Sequence, residues 1–211
     1  KVAFPATPYD AKGMMASALL GNDPVVFFES QKLYNQTEIF WPNGVPAEYY
    51  TVPLGVPAVL REGSDVTFLT FGATLYAADA AAKRLQNEFG ISVELIDGRC
   101  LVPFDYEVLY NSVKKTGKLI LASDACERGS YLHTVAGQIT QMAFDYLDAP
   151  PCVVGAQNWI VPPAEMETEY FPQPEWLLDA YHTQIKPLPG YTPTTDRTAE
   201  EFLKLSKFGV L

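Results

Sequence analysis

The feature that most constrains this chain is an alternation, beginning at Val66, of short apolar runs with segments of helical period. Val66–Phe71 reads as a strand, Thr74–Phe89 as an alanine-rich helix and Val93–Ile96 as a strand. Tyr106–Lys115 reads as a helix, Leu119–Ala122 as a strand, Tyr131–Leu147 as a helix and Cys152–Val154 as a last short strand. The apolar runs are continuous rather than alternating, as expected of strands covered on both faces. Strands and helices succeeding one another at this spacing predict a three-layer α/β fold around a mainly parallel, doubly wound sheet.

The same logic applies on a smaller scale at the N-terminus. Val2–Phe4 is a short apolar strand broken by Pro5 and Pro8. Thr7 is placed to cap a helix, Pro8 suits its first position, and Asp10 complements its dipole. Ala11, Met14, Met15, Ala18 and Leu19 recur at helical spacing, and Gly21-Asn22 ends the helix. Val25–Phe28 follows as an apolar strand, predicted to be buried on both faces. This βαβ unit is too small to stand alone. From Ser30 to Pro57, prolines and glycines punctuate the chain, and Phe40, Trp41, Tyr49 and Tyr50 predict a linker packed on a surface rather than a free tether. The expected division is therefore 1–30, a linker over 31–56, a main domain over 57–190 and a tail over 191–211. The tail from Val161 reads as proline-rich and irregular, with a helix at Glu175–Tyr181. A final amphipathic stretch, Ala199–Lys207, groups Phe202, Leu203 and Leu205 for docking on the same chain or on a partner.

Composition narrows the function classes. Of 211 residues, 48% are hydrophobic and 19% charged, which is globular rather than disordered. A net charge of −10 argues against a surface that tracks nucleic-acid phosphates and favours solubility or a basic protein partner. No apolar run is long enough to span a bilayer. Cys100, Cys126 and Cys152 are far apart, without a CxxC or Cys/His cluster, so they are expected as buried free thiols rather than zinc ligands or disulfides. This predicts reducing, intracellular surroundings. The chain opens on KVAFPATPYDAKG without a Met, and reads like the middle of a protein.

Catalytic groups are sparse. His133 lies on a helix whose buried face is better described by Leu132, Val135, Ala136, Ile139 and Ala143, and its helical neighbours supply neither nucleophile nor ligand. His182, beside Tyr181, reads as a surface or packing residue. Gly-x-Ser-x-Gly and Walker-type loops are absent, and Gly98 in IDGRC is no dinucleotide fingerprint. Asp124 and Cys126 end a strand where open α/β sheets place ligands. However, Cys126 has no identifiable base, and Ser130 is expected simply to cap the helix at Tyr131. No residue is assigned a catalytic or cofactor-binding role.

Several segments in order resemble the β subunits of thiamine-diphosphate-dependent 2-oxo acid dehydrogenases of the pyruvate and branched-chain type. They are PYDAKGMMASALLGNDPVVFFES, VPAEYYTVPLG, REGSDVTFLTFG, GISVELIDGRCLVPFDYEVLYNSVKKTGKLILASDA and AFDYLDAP, together covering about residues 1–155. REGSDVT and GISVELID look slightly closer to the branched-chain enzymes. The resemblance implies that 1–30 is the end of a pyrimidine-binding domain and 57–190 a transketolase-like C-terminal domain. It also implies a potassium site at a helix end corresponding to Ala18, Leu19, Gly21 and Asp23, where Gly21 and Asp23 replace the more usual Asp and Asn. The family's thiamine-activating glutamate and its substrate-facing histidine belong to segments upstream of Lys1. An α-type subunit holds the diphosphate and its magnesium ion.

The implied parent enzyme decarboxylates a 2-oxo acid with thiamine as electron sink and passes the acyl group to lipoyl. Its expected partners are the α-type subunit, a second β-type region and a lipoyl acyltransferase, in the cytoplasm or a mitochondrial matrix. This chain would supply scaffold and part of the active-site wall. Two alternatives stay open: the C-terminal domain of a transketolase-like carbon-transfer enzyme, and a non-catalytic module binding a basic acyltransferase segment. After Asp124, Cys126 and Gly129-Ser130 stand where the family has a Pro and a Gly-Gly turn. From Gly155 the chain departs from the family's usual segment.

Overall fold

The computed structural model describes residues 1–207; the last four residues of the expected tail lie outside them. A five-stranded sheet organises the chain: β3 (Ala58–Arg61), β4 (Val66–Phe71), β5 (Val93–Asp97), β7 (Leu119–Cys126) and β8 (Cys152–Ala156), in the order β3-β5-β4-β7-β8. Four strands run parallel, and β3 pairs antiparallel with β5 at one edge. A second, three-stranded sheet joins β1 (Val2–Ala3), β2 (Val26–Phe27) and β6 (Cys100–Val102) in the order β2-β1-β6.

The period of two along the strands assigns side chains to layers. Phe68, Leu95, Ile120 and Val154 face α2 (Thr74–Phe89) and α6 (Pro174–Ala180). Their sequence neighbours Leu69, Ile96, Leu121 and Val153 face the opposite layer, α3 (Tyr106–Thr116) and α4 (Tyr131–Ala143). Both faces are thus covered, which is why these strands read as unbroken apolar runs. Leu69, Leu95, Leu119 and Leu121 of the sheet, together with Leu75, Leu85 and Leu109 from the helices, have no solvent exposure. Truncating any one of them to alanine would cost about 2–5 kcal/mol.

The strands and helices read from Val66 onward all form, within a few residues at their ends. The N-terminal unit also forms: β1 and β2 are parallel around α1 (Pro8–Leu20), and Thr7 Oγ1 accepts the Asp10 amide at 3.0 Å. The expectation of a strand buried on both faces at Val25–Phe28 is corrected. β2 is two residues long and Val26 is 54% exposed, because β2 is an edge of a small sheet. Two short strands, β3 and β6, escaped the sequence reading. β6 ties the N-terminal unit to the main fold through Val2↔Val102 and Ala3↔Cys100.

The linker packs as its aromatics require. Tyr9 of α1 is sandwiched between Trp41 and Tyr50, with ring centroids at 4.6 and 4.7 Å. Glu38 accepts the amides of Tyr9, Phe40 and Trp41. Tyr49 departs from this pattern and is exposed.

The tail is far better packed than its prolines suggest. Trp176, Leu177, Leu178, Ala180, Tyr181 and Leu188 all enter the core layer under α2. Asp179, fully buried, accepts from Tyr191 Oη, from both the amide and hydroxyl of Thr194, and from both the amide and hydroxyl of Thr195, at 2.7–3.0 Å. Arg197 then bonds the Val153 carbonyl and the Glu127 carboxylate, each at 3.2 Å. A short helix, α5 (Glu167–Tyr170), precedes α6, and α7 (Ala199–Ser206) follows as an amphipathic helix with no fully buried side chain.

Candidate functional site

The chain leaves β4 through α2 on one face of the sheet and leaves β7 through α4 on the other. The loops at the carboxyl ends of these adjacent strands therefore part in opposite directions and open a crevice, the usual place for a ligand in an open α/β sheet. A cavity of about 340 Å³ lies there. Phe71 ends β4, Ser123 and Asp124 lie on β7, and Tyr131 begins α4; Phe4 and Phe28, which directly follow β1 and β2, and Leu101 of β6 close the other side.

Two glycines set the spacing of this junction. Gly72 has φ +65°, and a Cβ there would stand 2.3 Å from the Phe4 ring. A Cβ on Gly98 would stand 2.2 Å from the Phe71 ring. Gly98, between β5 and β6, thus allows the backbone to pack closely on the Phe71 ring of β4.

Beside the crevice lies a buried ionic cluster. Arg99, at φ +58°, donates from Nη1 to Asp10 Oδ1 at 2.8 Å, and Asp10 Oδ2 accepts from Thr7 Oγ1 at 2.9 Å. Asp97, fully buried at the end of β5, accepts the Arg99 amide at 3.1 Å through Oδ1, while Oδ2 has no partner. Burial first, and the Asp10 charge second, push the Asp97 carboxyl up to about 8 against the opposing pull of Arg99. The cluster holds two carboxyls and one guanidinium, so one proton balances it at neutral pH. It welds α1 to the β5–β6 turn, and Tyr76 of α2 adds a bond from its hydroxyl to the Ala6 carbonyl at 3.3 Å.

The residues singled out by sequence disperse. Ala18, Leu19, Gly21 and Asp23 sit at the exposed end of α1. There the Gly21 amide donates to the Ala18 carbonyl at 3.3 Å and the Asp23 carboxylate pairs with Lys1 Nζ at 3.0 Å. Lys1 lowers the Asp23 carboxyl from its ordinary range through that bond. Cys100 and Cys152 are buried as expected, and burial pushes the Cys152 thiol up to about 12. Cys126 is a correction: it lies beyond the regular register of β7, exposed, with its sulfur 3.4 Å from both Tyr170 Oη and the Gln157 carbonyl. Ser130 is a second correction. It occupies the cap position of α4, but its hydroxyl makes no capping bond and is buried without a partner. His133 is exposed, and His182 Nδ1 accepts the Leu188 amide at 2.9 Å, which makes it a packing residue. Among the described residues no cluster of three or more His, Cys, Asp or Glu side chains gathers to hold a metal, and no helix is long and apolar enough to cross a membrane.

A doubly wound α/β domain with its crevice at the β4/β7 switch point defines the class of protein. Residues 55–177 match the family of the transketolase C-terminal domain, and the chain belongs to that family. It is similar to the pyruvate dehydrogenase E1 component subunit beta of Acholeplasma laidlawii, at 38% identity over 83% of this chain and 52% of that protein. It is also similar to two Bacillus subtilis proteins. One is the acetoin:2,6-dichlorophenolindophenol oxidoreductase subunit beta, 39% identical over 84% of this chain and 51% of that one. The other is the 2-oxoisovalerate dehydrogenase subunit beta, 39% identical over 71% and 44%. Among solved structures, a split-gene transketolase, described as an inactive beta4 tetramer, superposes with a TM-score of 0.62 at 26% identity, over 79% of this chain and 51% of that one. The chain spans about half the length of the curated relatives it matches.

Proposed function

We propose that this chain is the C-terminal portion of a β subunit, or fused β region, of a thiamine-diphosphate-dependent 2-oxo acid dehydrogenase. In this reading 1–30 ends a pyrimidine-binding domain, 31–56 is a linker, 57–190 is the transketolase-like domain and 191–211 is its tail. The observation that carries the proposal is the match to β subunits at 38–39% identity through more than four-fifths of the chain, a longer stretch than the matched family domain at 55–177. The substrate class is a 2-oxo acid, pyruvate or a branched-chain homologue, and the acyl acceptor is lipoyl.

Thiamine diphosphate would supply the electron sink for decarboxylation. As the resemblance implies, the diphosphate and its magnesium ion are assigned to an α-type partner rather than to this chain. The work assigned to this chain is to hold the junction between its two sheets rigid, wall the catalytic cleft and present surface to the α-type subunit, a second β region and a lipoyl acyltransferase. A potassium ion at the α1 end, held by carbonyls of Ala18, Leu19 and Gly21 with Asp23 nearby, belongs to the same proposal. It predicts a higher melting temperature in potassium than in lithium chloride at equal ionic strength. The compartment proposed is the cytoplasm or a mitochondrial matrix.

The likeness to a transketolase structure favours a second reading, transfer of a carbon fragment to an aldehyde. The test is acceptor choice by the full-length protein assembled with its α-type partner. Reduction of a lipoyl domain dependent on a 2-oxo acid supports the dehydrogenase. Ketol transfer to an aldehyde with no lipoyl reduction supports the alternative.

A further inference from the structure

The tail reaches the wall of the crevice. The segment between β7 and α4 is bounded by Ala125 and Tyr131, and both line the cavity. The residues between them rest on the end of β8. There the Glu127 amide donates to the Ala156 carbonyl at 2.9 Å and the Arg128 amide to Asn158 Oδ1 at 2.8 Å. Contact is close, since a Cβ on Gly155 would stand 2.5 Å from Glu127 Cα. From the tail, Arg197 Nη1 donates to Glu127 Oε2 and to the Val153 carbonyl of β8, the edge strand, each at 3.2 Å.

The two ends of this tail segment are held differently. Donors from Tyr191, Thr194 and Thr195 converge on the unexposed Asp179 at 2.7–3.0 Å. Two positions further on, the buried Arg197 makes longer bonds than the usual charge-assisted pair, which spans about 2.7–2.9 Å. Its Nε is buried without a partner among the described residues. Beyond it, α7 has no fully buried side chain to pin the tail from the far side. A firm anchor followed by a weaker latch lets a segment release without unfolding the core it is anchored in.

We propose that residues 191–197 are a strap, anchored on Asp179 and latched by Arg197 on Glu127, that holds the β7–α4 loop against β8 and so fixes the Ala125–Tyr131 wall of the crevice. A buried ion pair is weak evidence for overall stability, because desolvation offsets much of its attraction. What this pair fixes is position: it joins the tail to a loop 70 positions away. The opposite wall is independent of the strap. Phe4 and Phe28 are held by backbone bonds to the Arg99 and Ala3 carbonyls, at 2.7 and 2.8 Å. Release of the latch therefore loosens one wall of the cavity and leaves the other in place.

The test is amide hydrogen exchange of the 211-residue chain and of Arg197→Met, Glu127→Met and the double variant. Ring-to-ring nuclear Overhauser effects are recorded on the same proteins. The expected result is exchange about tenfold faster at Glu127 and Arg128 in each single variant, with β4 and β5 unchanged. The double variant should exchange no faster than either single one, because both act through one contact. The effect between Phe71 and Tyr131, whose centroids are 5.8 Å apart, should weaken, while that between Phe4 and Phe28, at 5.9 Å, persists. Unchanged loop exchange in Arg197→Met would overturn the proposal. So would acceleration shared equally by β4 and β5, additive effects in the double variant, or an undiminished Phe71–Tyr131 effect beside a loosened loop.

Discussion

Replacing Asp97 with asparagine isolates the buried proton at the junction of the two sheets. Asp97 Oδ1 accepts the Arg99 amide and Oδ2 has no partner, so an asparagine keeps the one bond and stands in for the protonated acid. The folded carboxyl titrates at about 8, against about 3.9 in an unfolded chain. Between these values the native state holds a proton that the unfolded state has released. The stabilising protonated form is fully populated in both states below the unfolded value, and its advantage is lost as pH rises toward the folded one. The slope is about −1.4 kcal/mol per pH unit, and the whole interval is worth about 6 kcal/mol. Asp10 and Arg99 face the same group and remain in the variant, and Tyr76 of α2 is neutral throughout this range, so the difference between wild type and Asp97→Asn removes their shared contribution. Urea unfolding at pH 5, 6 and 7 should show the variant gaining about 3 kcal/mol on the wild type from the lowest pH to the highest. Parallel pH profiles for the two proteins would refute the protonated, buried Asp97.

Three further substitutions test separate parts of the fold. Asp179→Ala removes the acceptor for five donors and should cost about 3 kcal/mol or more, with new proteolytic cleavage after Lys186 before global unfolding. Arg99→Met leaves Asp10 and Asp97 without their cation and should cost about 3–5 kcal/mol by denaturant unfolding at pH 7. Gly98→Ala drives a methyl into the Phe71 ring and should cost about 1–3 kcal/mol, read as a lowered melting temperature.

The main sheet was legible because its strands are buried on both faces and its helices carry one apolar stripe each; Phe68-Leu69 and Ile120-Leu121 send successive side chains into opposite layers. β3 and β6 were not legible. Each is four residues or fewer and takes its identity from a partner distant in sequence, β5 for one and β1 for the other. The tail was misjudged for a related reason. Its prolines signal irregular backbone, but Asp179 gathers donors from residues 191–195, and no local pattern announces a carboxylate that folds the chain around itself. At the candidate site, the strand-end position of Asp124 was readable, whereas the cavity's aromatics, Phe4, Phe28, Phe71 and Tyr131, come from separate parts of the chain that only the fold brings together. The Asp10–Arg99 pair spans 89 positions, so Arg99 in IDGRC drew no notice beside Gly98. Cys126 and Ser130 were misread because β7 runs on past its apolar core into an irregular end.

The central claim is that the chemistry belongs to the assembled parent and this chain supplies scaffold. Release of carbon dioxide from pyruvate and from a branched-chain 2-oxo acid, with ferricyanide as electron acceptor and thiamine diphosphate and magnesium present, tests it directly. The full-length protein with its α-type partner should turn over, and the 211-residue chain alone should not. Turnover by the chain alone would contradict the account.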